Sequence, residues 1–102
     1  MNFQWIGWCK EGSHDKIWAL YVLESRTEWW GWRVVKYATI WGRRGKALQS
    51  KVFDSESSAH NLKIAEKQRK GYQPIDLQKL SEVYPEFQED LEKAAFWATL
   101  KG

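Results

Sequence analysis

The chain of 102 residues predicts an α+β domain: a small twisted antiparallel β-sheet, one main helix after the third long strand, and short C-terminal helices. Three observations lead there. Apolar residues alternate with period two, or run continuously, through the first half of the chain. Turn chemistry separates these runs. At Asp54 the pattern changes to a capped helical one.

Residues 2–9 alternate, with Phe3, Trp5, Gly7 and Cys9 on one side and Gln4, Ile6 and Trp8 on the other. Glu11 to Asp15 supplies a turn. Residues 17–23 are almost wholly apolar and rich in aromatic and branched side chains, the pattern of a strand covered on both faces. Glu24 to Glu28 reads as a polar connection, and the next strand spans 31–41. Parity places Trp30, Trp32, Val34, Ala38 and Ile40 on its core face and Arg33, Val35, Tyr37, Thr39 and Trp41 on a more polar face, unless a bulge intervenes. A strand over 47–53 pairs back on it. A helix over about 56–70 follows, capped by Asp54 or Ser55, with Ala59, Leu62 and Ala65 as a thin apolar stripe and Gly71 as its stop. Beyond Tyr72, the spacing of Leu77, Leu80, Phe87, Leu91, Ala94, Ala95 and Trp97, with Pro85 at a helix start, predicts one or two short helices that pack back on the domain.

Composition narrows the function. The single Cys9 forms no internal disulfide, and no Cys/His cluster offers a four-ligand zinc site. No apolar run approaches the ~20 residues of a membrane span, and the first residues lack the features of a signal peptide, so an intracellular protein, cytoplasmic or nucleoid-associated, is expected. His14 and His60 have no nucleophile or ligand spacing beside them, and Ser55, Ser57 and Ser58 are explained by helix capping. No enzyme activity, cofactor or metal is expected. The net charge of +3 is unevenly spread: residues 26–70 hold eleven Lys/Arg against four acids, and residues 71–102 hold three against six. A basic middle favours a polyanionic partner.

The densest functional signal is Trp41-Gly42-Arg43-Arg44-Gly45-Lys46, which closes an aromatic strand with a stacking surface, flexible backbone and three cations. With Gln49, Lys51 and Arg33 it forms the candidate nucleic-acid-binding set. Trp41-Gly42-Arg43 followed by Gly45, Gln49, Phe53, Ala59 and Lys67-Gln68-Arg69-Lys70-Gly71-Tyr72, preceded by Asp15-Lys16-Ile17-Trp18, resembles the WGR domain of poly(ADP-ribose) polymerases and bacterial proteins. The resemblance covers about residues 14–72 of a single domain spanning 1–102, leaving 73–102 as a helical C-terminal extension.

The resemblance implies that Trp41 lies against the terminal nucleotide at a DNA break and that Arg43 contacts phosphate or a neighbouring domain, with Lys46 and Gln49 close behind. Arg44 departs from the family pattern, which has a branched aliphatic residue there. A chain of this length has no room for zinc fingers or an ADP-ribosyltransferase domain, so Arg43 is expected to meet any partner in trans. The function expected is a non-catalytic module for DNA ends, nicks or junctions. The alternative is an adaptor that docks an acidic partner protein through the same face.

Overall fold

Two long strands organise the molecule. In the computed structural model, which describes residues 3–11, 14–43, 45–54 and 59–101, β2 (His14–Glu28) and β3 (Gly31–Arg43) form an antiparallel hairpin. Strand β1 (Phe3–Glu11) pairs with β2, β4 (Gln49–Asp54) pairs with β3, and β5 (Gln73–Pro74) adds a two-residue edge beside β1. The sheet order is β4-β3-β2-β1-β5. Helix α1 (Ala59–Arg69) follows β4, and α2 (Leu77–Val83) and α3 (Pro85–Lys101) end the chain.

The apolar run in β2 is explained by burial on both faces. Ile17 and Ala19, with Ile6 of β1 and Ile40 of β3, pack against Leu80, Tyr84, Phe87, Leu91, Ala94 and Ala95 of the C-terminal segment. Trp18, Leu20 and Val22 alternate to the opposite face, where they join Cys9, Val34, Tyr37, Trp41, Phe53, Ile64 of α1 and Tyr72. The small side chains Ala19, Ala94 and Ala95 permit α3 to approach the strands closely. The domain is therefore α+β with a helix layer on each side of the sheet.

Several sequence expectations change. Among the described residues the longest helix is α3, with 17 residues against 11 in α1, because the C-terminal segment supplies half of one core rather than a short extension. Glu24 to Glu28 is not a connection but the end of β2. Leu62 of α1 is exposed, and the inward positions are His60 and Ile64, four residues apart. The proposed cap at Ser55 and the first turn of that helix lie outside the described residues.

The parity of β3 also changes along its length. Tyr37 pairs with Val22, Lys36 with Glu24 and Val34 with Ser25, so Leu23 and Val35 are each extra residues in the ladder. The extra residue puts Val34, and by alternation Trp32, on the face of Tyr37, whereas Arg33 turns to the other face. Trp32 is no core residue: among the described residues β1 reaches only Tyr21 and β4 only Lys36 of the hairpin, and Trp32 is 54% exposed. Of the eight tryptophans, Trp5, Trp8, Trp18 and Trp41 pack on the sheet, and Trp29, Trp30, Trp32 and Trp97 are exposed.

Two measurements check this packing. Trp32→Ala is expected to change stability by less than about 1 kcal/mol, whereas Phe87→Ala, which empties the fully buried centre of the α3 core, costs about 3–5 kcal/mol in thermal or urea melts. Burial beside Tyr37 lowers the His60 pKa below its ordinary 6.5. The folded state thus favours the neutral ring. That contribution is complete above pH 6.5 and is lost as pH falls through the lower folded value. Melting temperature should decline as pH falls from 6.5 toward the lower folded value and level off below it, and His60→Gln should flatten that part of the profile.

Candidate nucleic-acid interface

On the α1 face of the sheet, Trp41 pairs across the ladder with Trp18 on one side and Gln49 on the other. Period two then brings Gln49, Lys51 and Phe53 of β4 to the same face as Trp41, Thr39 and Tyr37. Phe53 stacks on Tyr37 at 5.4 Å between centroids. The chain reverses after β3 through Gly45, with the Lys46 N–H donating to the Arg43 carbonyl at 3.1 Å. Gly42 makes room for a close approach: a Cβ there would lie 2.7 Å from Leu48 Cδ2 and 3.3 Å from Leu48 Cα, so Leu48 would have to shift.

The end of α1 completes the surface. Gly71 adopts φ 98°. Its N–H donates to the Gln68 carbonyl and the Tyr72 N–H donates to the Lys67 carbonyl, both at 3.1 Å, the paired bonds of a Schellman C-cap. This reversal drops Tyr72 into the core beside Trp18 and holds Lys67 above it.

Trp41 and Tyr72 form the wall common to two clefts. The first, of about 290 Å³, lies between the sheet and α1, with Trp18 and Phe53 as its apolar lining and Lys51, Lys63 and Lys67 as its cations. The second, of about 460 Å³, opens beside the β3–β4 turn and is bordered by Lys16, Arg43, Lys46 and Gln49. Ring faces hold several ammonium groups in place: Lys63 lies 4.2 Å and Lys51 5.2 Å from the Phe53 centroid, Lys67 5.8 Å from Trp18, and Lys16 5.8 Å from Tyr72.

Charge follows from this crowding. Burial, and then the neighbouring Lys70 charge, lowers the pKa of Lys67. Glu66, the acid at the first cleft, accepts from Lys70 at 3.1 Å, and this hydrogen bond, followed by Lys70's charge, lowers its pKa. Burial raises the pKa of Tyr72. The surface presents positive heads around neutral rings.

Of the sequence-derived set, the structure brings Trp41, Arg43, Lys46, Gln49 and Lys51 together. Arg44 lies outside the described residues. Arg33 is not brought to this group: it stands eight residues from Trp41 along β3, roughly 26 Å away at strand rise, and is paired with Glu28 at 3.2 Å. Sequence reasoning missed Lys16, Lys63, Lys67, Trp18 and Tyr72 as members of the surface. The i, i+4 spacing of Lys63 and Lys67 was an available signal, since it puts both on one helical stripe.

Among the described residues no three His, Cys, Asp or Glu side chains converge as a metal site, and no helix is long and apolar enough to cross a membrane. No protein-family model, curated protein or solved structure matches the chain.

Gly71→Ala is expected to cost about 1–2 kcal/mol, because an alanine must adopt a left-handed backbone there. The same change should perturb tryptophan emission through the displaced Tyr72 and Lys67, while Gly71→Asn, which tolerates that conformation, should recover most of the loss in melting experiments.

Proposed function

We propose that this chain is a WGR-like, non-catalytic module that binds DNA at ends, nicks or junctions, with Trp41 against the terminal base and the surrounding cations on phosphates. The observation that carries this reading is the position of Trp41 as the common wall of two clefts, each bordered by three Lys/Arg side chains. A duplex end presents an unstacked base face with phosphates on both strands. A half-buried ring between two cationic clefts is complementary to that geometry. Lys51, Lys63 and Lys67 would serve one strand's phosphates, and Lys16, Arg43 and Lys46 the other's.

Magnitudes favour an accessory role. Stacking contributes about 1–3 kcal/mol per base, and the phosphate contribution declines with salt. Arg43 and the exposed Lys46 also suit a contact made in trans to a larger protein bound at the same lesion. An acidic protein partner is the alternative occupant of the same surface.

A hairpin duplex with one open end, titrated against a closed circle of equal composition, tests the reading. Tighter binding to the open end is expected, with a log-log salt slope of roughly −4 to −6 for about five or six neutralised phosphates. Trp41→Ala should weaken end binding by about 1–3 kcal/mol; because the ring also packs on the sheet, affinity is measured where the variant remains folded. Arg43→Glu with Lys46→Glu, both exposed, should abolish binding without unfolding. Equal affinity for circle and open end, or indifference to the reversal, would give the surface to an acidic protein instead.

A further inference from the structure

The two clefts beside Trp41 differ in what lines them. The first, between the sheet and α1, has four rings: Trp18, Trp41, Phe53 and Tyr72. The second keeps only Trp41 and Tyr72, and the rest of its border is made by the turn residues Gly42 and Ala47 with Lys16, Arg43, Lys46 and Gln49. Ring surface suits an unpaired base, whose π-face is open, whereas exposed cations beside a turn suit the outer phosphates of a duplex. The first cleft is also the smaller, about 290 Å³ against about 460 Å³, and lies just under the usual range of small-ligand cavities, about 300–1,000 Å³. That is the scale of one nucleotide, not of a base pair with both its backbones.

Within the first cleft the rings are unequally engaged. Phe53 stacks on Tyr37 and carries the Lys63 ammonium 4.2 Å from its centroid. Trp18 has Trp5 at 5.9 Å and Lys67 at 5.8 Å, and Tyr72 has Lys16 at 5.8 Å. Among the described residues lining the cleft, Trp41 is the one ring with neither another ring nor an ammonium against it. It is half-buried, held by packing on the sheet yet accessible from the cleft. The rings that anchor lysines are therefore not the ring on which a base would stack. Glu66, the acid lining this cleft, is held by Lys70 at 3.1 Å, which offsets part of its repulsion of a phosphate.

We propose that the preferred DNA is an end bearing a short single-stranded overhang. Its first unpaired nucleotide enters the cleft between the sheet and α1, with the base on Trp41 and the phosphate at Lys51, Lys63 and Lys67, while the duplex backbone runs over Arg43 and Lys46 at the second cleft. This rests on the nucleic-acid reading above and narrows it from ends in general to ends with an unpaired nucleotide. Because Trp41 and Tyr72 are walls of both clefts, the two openings adjoin and one strand passes directly from one to the other. A blunt end leaves its terminal pair outside, since its two strands cannot enter a one-nucleotide cleft together. Fraying it to fill the cleft costs pairing and stacking that an overhang never had.

Hairpin duplexes that differ only at the open end test this at one fixed salt concentration: a blunt end, a single-thymidine overhang in each polarity, the same overhang with an abasic residue, and a closed circle. A thymidine overhang of at least one polarity should bind at least about fivefold tighter than the blunt end, the low end of what one stacked base supplies. The abasic overhang keeps the phosphate and lacks the base, and should bind like the blunt end. Lys63→Met with Lys67→Met, which leave an unbranched stem over each ring and remove its charge, should erase most of the gain. Equal affinity for blunt and thymidine ends, both tighter than the circle, overturns the overhang proposal and leaves end binding standing. Equal affinity for every DNA, the circle included, removes the end-binding reading and the overhang with it. A gain that the abasic residue reproduces, or that the double variant keeps, comes from added charge elsewhere and overturns the proposal. The abasic comparison uses the native chain, so it decides even where the double variant unfolds.

Discussion

Burial of β2 and β3 on both faces is the constraint from which the other features follow. A strand of alternating pattern needs one cover; Ile17-Trp18-Ala19-Leu20 needs two. The first cover is α3, whose alanines bring its backbone near the sheet and whose Phe87 and Leu91 fill the space between. The second is α1 with Tyr72, a much thinner layer: Ile64 is its apolar contribution, and His60 and the lysine stems take the remaining positions. Long cationic side chains can lie their methylenes along aromatic surface while their heads stay solvated. A face that lacks enough apolar helix to close it is closed here by lysines over rings.

That compromise explains why the candidate site lies where it does. A fully apolar α1 would have sealed Trp18, Trp41 and Phe53 into a second core with no opening. Because the covering side chains are Lys63 and Lys67, a cleft remains between helix and sheet, with its walls apolar and its rim positive. The β3–β4 turn, closed by the approach of Gly42 to Leu48, adds Arg43 and Lys46 at the adjoining opening. Stability and binding chemistry therefore draw on the same side chains: Trp41 and Tyr72 are at once core and wall.

Much of this was legible. The continuous apolar run in residues 17–23 called for two covers, and the Trp-Gly-Arg segment with Gln49 and Lys51 marked one end of the sheet as cationic. What period two could not supply was the ladder irregularity at Leu23 and Val35, which no local residue announces and which exchanges the faces of Trp32 and Arg33. The inference that Trp41 avoids the core also assumed a single buried face. With both faces covered, parity selects the covering helix rather than inside against outside. Parity alone places Trp30 and Trp32 on the core face; their exposure goes with described partners in β1 and β4 that reach only Tyr21 and Lys36 of the hairpin.

The acidic C-terminal segment bears on the basic clefts through its place in the fold. A negative segment close to the positive surface would compete with a polyanion for it. Yet α3 packs on the Ile17, Ala19 and Ile40 face, and the clefts open on the opposite one, so the whole sheet lies between them. A helix layer and a sheet are each about 10 Å thick, which puts the outward carboxylates of α3 beyond the ~8–10 Å Debye length at ordinary salt. Their field at the clefts is weak, and no α3 side chain lines either opening. The fold thus separates the two charge populations by the thickness of its own core: the basic face stays available to a polyanion, and the acidic helix stays available to a cationic surface.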